Sequence, residues 1–128
     1  MSLSKFGVAV REFRRSLQLT LSSMAAALDT SPAFLSAMET GRSKIPMEWV
    51  DKISSYFEAA GLHVNRSKLK ASACEDNESV SLVGLPAHHR MLIAGFANSD
   101  LNQEQLAKLG RLLSEIHGDA DNDERKPS

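Results

Sequence analysis

The chain has 128 residues, 42% hydrophobic and 24% charged, with a formal net charge of -1, the composition of a globular protein of one domain or one small domain with an appendage. No apolar run approaches the ~18–20 residues of a membrane helix and no signal-peptide pattern is present, so a cytoplasmic protein with no membrane contact is expected. The single cysteine, Cys74, excludes an intramolecular disulfide and a cysteine-cluster metal site.

Charge is unevenly distributed. Residues 1–73 hold ten Lys/Arg against six Asp/Glu, a balance of +4, and residues 74–128 hold five against ten, a balance of -5. The split suggests a basic working half and an acidic remainder, although +4 is also compatible with ordinary surface charge.

In chain order, Phe6, Val10, Phe13 and Leu17 form one stripe at helical period and predict a first helix from about Ser4 to Leu17. Thr20 stands where an N-cap belongs and opens a second helix, about Leu21 to Leu28, burying Met24 and Leu28 beside the small Ala25. Asp29-Thr30 makes a turn. Ser31 caps a third helix with Pro32 in its first position, Leu35 and Met38 pointing inward and Gly41 ending it. After a loop over Arg42 to Ile45, Pro46 starts a fourth helix to about Ala60. Its apolar face is Trp49, Ile53, Tyr56 and Phe57, and Gly61 stops it.

Signals weaken beyond this point. Asn65 caps a short helix from Arg66 to Cys74, and residues 75–79 (EDNES) read as a polar loop. Ser79 to Val83 alternates in the manner of a short strand, which five residues cannot decide. Pro86 opens a helix to about Asn98, with Met91, Leu92 and Phe96 as buried candidates. Asn102 caps a last helix ending near His117. The polar tail over residues 118–128 is expected to be disordered.

Within residues 19–46, Leu19-Thr20, Met24-Ala25, Leu28, Ser31, Leu35-Ser36, Met38-Glu39, Gly41 and Pro46 stand in one register. This pattern resembles the Xre-type helix-turn-helix family of lambda-like repressors and Cro proteins, and with its flanking helices covers residues 4–60. The resemblance implies a lambda-repressor-like DNA-binding domain at 1–62 of a mainly α chain; residues 63–117, read from their own pattern, are expected to be a small, mostly helical dimerisation region that includes the strand candidate, and 118–128 an acidic tail. It implies a sequence-specific transcriptional regulator, a homodimeric repressor on an inverted-repeat operator, with double-stranded DNA as partner. An antitoxin-like protein-interaction module with secondary DNA binding is the alternative, and would bring a protein partner.

The same resemblance assigns roles. Arg14 and Glu39 match a pair that ties the first helix to the third, which makes Arg14 scaffold rather than DNA contact. Thr20 and Leu21 would lie against a phosphate; family members usually carry glutamine where Leu21 stands, so backbone N–H groups remain. Thr40, Arg42, Ser43 and Lys44 offer hydroxyls and cations to further phosphates, unless the two cations are only solvated loop charge. Base reading would fall to Pro32, Ala33, Phe34, Ser36 and Ala37. That helix has no Arg, Lys, Asn or Gln for bidentate base contacts, so it is left with thymine-methyl contacts, one hydroxyl and DNA shape. Phe34 is either exposed toward a partner or, with the helix slightly rotated, covers the edge of the core.

Leu106, Leu109, Leu113 and Ile116 repeat at +3, +4, +3 and offer a dimerisation seam, or else pack on their own subunit. The basic run RSKLK (Arg66 to Lys70) reads as a solvated face or a flanking phosphate contact. Adjacent His88-His89 do not make a metal site, Cys74 has no catalytic neighbour, and neither a nucleotide-binding loop nor a catalytic constellation occurs. No enzyme activity, cofactor or metal is therefore expected.

Overall fold

Four polar side chains start helices by accepting an otherwise unpaired backbone N–H. Ser4 accepts from Gly7 (3.0 Å), Thr20 from Ser23 (3.0 Å), Ser31 from Phe34 (3.1 Å) and Asn65 from Lys68 (3.1 Å). In the computed structural model, which describes the backbone of residues 2–125 and the side chains of 2–116, they open α1 (Lys5–Ser16), α2 (Leu21–Ala27), α3 (Pro32–Glu39) and α5 (Arg66–Asn77). Between the last two lies α4 (Met47–Ala59), and α6 (Ala87–Ala97) and α7 (Gln103–Arg125) follow. Thr20 and Ser23 form a reciprocal capping box, Gly41 leaves α3 at φ +76°, and Asn102 and Gln105 exchange hydrogen bonds of 2.8 and 3.0 Å at the start of α7.

The described residues contain helices and no strand. Ser79 to Val83, the strand candidate, is an exposed connection with no neighbouring strand to pair with.

The chain divides into two units, residues 1–80 and 81–128. The first is centred on Phe6, Met24, Leu35, Met38, Ile53 and Phe57, all buried. Each removes enough apolar surface from water to contribute about 2 kcal/mol. Two expectations change here. The domain does not end at 62, because α5 packs against both α1 and α4 and buries Leu69 and Ala73 in the same core. The basic character of this half also fades: Glu75, Asp76 and Glu78 now belong to it, giving ten Lys/Arg against nine Asp/Glu, or +1.

Residues 75–77, expected in a loop, are the last turn of α5, and their polarity has a tertiary cause. Asp76 caps α1 from 70 residues away, its two carboxylate oxygens accepting from the N–H of Lys5 (3.1 Å) and Phe6 (2.8 Å). Lys5 pairs with Glu75 beside it. The other flank of α1 meets the end of α3: Ser4 N–H donates to the Glu39 carbonyl at 2.8 Å. Gly7 is the close-approach point, since a Cβ there would stand 2.0 Å from that carbonyl oxygen.

In the second unit no residue of α6 is buried, and Met91, Leu92 and Phe96, expected inside, are 47–59% exposed. Among the described residues of this unit no side chain is buried, so it holds no core on which that face could lie. Leu106, Leu113 and Ile116 of the expected seam are exposed and Leu109 is half-covered. The last helix does not stop near His117 but runs to Arg125, through the stretch expected to be disordered; the first proline downstream is Pro127, so nothing covalent ends it earlier. The end of that tail, residues 126–128, lies outside the described residues.

Candidate functional site

Helix α3 turns Leu35, Met38 and Glu39 inward and leaves Pro32 and Ala33 exposed, with Ser36 and Ala37 half-exposed beside them. Its rotation about its own axis is fixed from both ends. Arg14 and Glu39 form a buried two-point pair, Nη2 donating to Oε1 at 3.1 Å and Nη1 to Oε2, with only 8% and 5% of the two residues exposed. At the other end Phe34 meets Trp49 of α4 edge-on, with ring centroids 4.9 Å apart.

That contact decides between the two readings of Phe34. The ring covers the edge of the core rather than standing free, because Trp49 offers it an aromatic face, and Lys52 lies over the same indole at 4.6 Å. Phe34 is therefore withdrawn from the exposed set. Leu21 likewise packs its side chain against the core. The Thr20 hydroxyl is engaged in the capping box and keeps one lone pair open.

The loop after α3 folds back along that helix. Thr40 Oγ1 donates to the Ser36 carbonyl at 2.8 Å and accepts from Arg42 Nε at 3.1 Å. The same guanidinium reaches to 3.4 Å from Ser36 Oγ. An arginine from the loop thus lies on the outward side of a helix that has no cation of its own. Ser43 Oγ faces the Lys44 carbonyl at 3.4 Å.

Lys44 takes another course from that expected. Its ammonium donates to the main-chain carbonyl of Asn77 at the end of α5, a helix terminus that attracts positive charge. Asn77 itself is buried and exchanges two hydrogen bonds with the backbone of Ile45, so α5 holds the loop at its far end. No local signal in the sequence marks Asn77, whose partners are 32 residues away.

Charge sorts the cations of this unit. Arg14, Arg15, Arg66, Lys70 and Lys5 each face a carboxylate. Arg66 lies between Glu58 (2.6 Å) and Asp51 (3.3 Å), which ties the start of α5 to α4 rather than leaving the RSKLK run open. The Arg66 hydrogen bond holds the Glu58 carboxyl below its ordinary value and in return raises the guanidinium's own. Like Arg11, Lys52 and Lys68, Arg42 and Lys44 form no ion pair with a carboxylate among the described residues, and the oxygens they bind are neutral. Both flank one loop.

Among the described residues no group of three His, Cys, Asp or Glu could hold a metal ion, and no helix is long and apolar enough to cross a membrane. Comparison of the chain with protein-family models, curated proteins and solved structures finds no match.

Proposed function

We propose that this chain is a DNA-binding transcriptional regulator acting as a homodimer on an inverted-repeat operator, with α2 and α3 as its helix-turn-helix. The observation that carries the reading is the position of Arg42 over Ser36 and Thr40, on the open side of α3. It adds to that face the planar, multiply donating cation that the helix lacks, suited to a phosphate or a guanine edge. Lys44 supplies a second charge on the same loop. Ala33 and Ala37 present methyl groups to thymine methyls, and Ser36 presents a hydroxyl.

In this mechanism the Thr40–Lys44 loop and the start of α2 meet the backbone phosphates and set the register of α3 in the major groove. Sequence preference then comes from few contacts and from the spacing of two half-sites. A repressor would act by occupying DNA that polymerase needs. The alternative, a module whose main partner is another protein meeting Pro32, Ala33, Phe34 and Ala37, loses support because Phe34 is spent on Trp49.

Selection from randomised duplexes tests the proposal. Enrichment of an inverted repeat with half-site centres about 10–10.5 bp apart, or a multiple of that, is the expected result. Recovery of no preferred sequence, with a different protein copurifying stoichiometrically, would favour the alternative.

A further inference from the structure

Helices α6 and α7 each carry an apolar face that stays about half exposed among the described residues. On α6 it is Met91, Leu92 and Phe96; on α7 it is Leu106, Leu112, Leu113 and Ile116, each 44–61% exposed. Two helices on one short connection would normally bury such faces against each other, yet these side chains keep about half of their surface open. At about half exposure, these side chains amount to roughly 700 Å² per copy, close to the ~800 Å² each partner gives a standard-size interface.

Glycines mark where the covering element comes. Gly95 lies among Met91, Leu92 and Phe96, and Gly110 stands four residues after Leu106 and three before Leu113. Gly110 is in the interior of α7 and Gly95 in the last turn of α6, and inside a helix glycine is a poor choice unless a backbone must come close. Nothing lies within 4 Å of a Cβ built at either position. Gly7 shows the same device with its reason inside the chain, against the Glu39 carbonyl.

We infer that the occupant is a second copy of this chain, and that the two copies exchange helices: α6 of each packs on α7 of the other, forming a four-helix bundle with Gly95 and Gly110 at the crossings. Only a second copy presents both faces at once, with both glycines, in the two-fold relation that covers all four helices. Exchange also accounts for two neighbouring helices whose apolar side chains stay half exposed within one chain. This deepens the homodimer reading above and rests on it.

The test uses the full chain in sedimentation velocity, without DNA. Wild type sediments as a dimer at micromolar concentration. Leu92→Glu, on α6, and Leu113→Lys, on α7, each sediment as monomers with unchanged far-ultraviolet dichroism. Mixed in equal amounts they form a heterodimer, because one bundle half is then wild type on both sides and the other sets Glu against Lys. Gly110→Ala raises the helicity of α7 but weakens the dimer about tenfold, since the added methyl meets a backbone.

A dimeric Leu92→Glu protein, or no association on mixing, would show that α6 and α7 of different copies do not pair. A monomeric wild type would overturn the inference as well. A wild type that exchanges helices yet ignores duplex DNA leaves this interface standing and removes only the regulator reading.

Discussion

Asn77 and Ile45 pair like neighbours in a ladder: the Ile45 N–H donates to the Asn77 side-chain oxygen at 2.8 Å, and the Asn77 amide returns a bond to the Ile45 carbonyl at 2.9 Å. Both residues are buried, so the two main-chain groups have no water to fall back on. The last turn of α5 thereby fixes the end of the loop that carries Arg42 and Lys44.

Replacing Asn77 with alanine strands both Ile45 groups and is expected to cost about 1–3 kcal/mol, read by urea unfolding. It should also release the Arg42–Lys44 loop, so hydrogen exchange at Ile45 and Lys44 should accelerate more than at α2. Uniform acceleration across the unit would mean that the amide contributes stability without holding the loop.

Gly7→Ala places a methyl against the Glu39 carbonyl, where a Cβ has 2.0 Å available. Helix α1 must move away from α3, and a loss of about 3 kcal/mol is expected, which thermal unfolding of an 80-residue unit registers as roughly 10 °C or more. Elsewhere in an exposed helix the same substitution would stabilise. A melting temperature at or above that of wild type would show that the two helices do not approach so closely.

Breaking the Arg14–Glu39 pair from one side leaves a charge buried. Arg14→Met should cost about 3–5 kcal/mol, whereas the double variant Arg14→Met, Glu39→Met should recover most of that loss. A double-mutant cycle in urea measures the difference. Additive losses would mean that the two residues act separately.

Glu58 gives the pH dependence its sign. Its hydrogen bond from Arg66 outweighs desolvation and lowers the carboxyl from its ordinary 4.5. A carboxyl held lower in the folded than in the unfolded chain adds stability above about 4.5, and this is lost as pH falls through the folded value. Wild type should therefore exceed Glu58→Gln in stability at pH 6 and lose that advantage as pH falls through the folded value; a gap that widens on acidification would contradict the sign.

What was legible in the sequence was local. Thr20, Ser31, Pro32 and Gly41 act on backbone within a few residues, so the bounds of α2 and α3 follow from them. Arg14 and Glu39 are legible only through the family pattern that the chain resembles. Asp76 and Asn77 carry no local signal because they cap and clamp segments 70 and 32 residues away, and in the sequence a polar run at 75–79 looks like any loop. Their work moved the edge of the first unit to Val80 and removed most of its apparent positive charge. The sequence leaves Phe34 open for a related reason: its environment is Trp49, on another helix. The ability of Arg42 to lie back on Ser36 depends on the turn at Gly41, and composition of α3 alone hides it.

Salt-dependent binding of wild type and Arg42→Ala to the selected duplex and to a random one tests the central claim most directly. Wild-type affinity for the selected site should fall steeply with salt and exceed that for the random duplex. Arg42→Ala should weaken binding and, if the guanidinium meets phosphate, flatten the log–log salt slope by about 1 on both duplexes. Wild-type binding that ignores salt, or an Arg42→Ala protein indistinguishable from wild type on both duplexes, would contradict it.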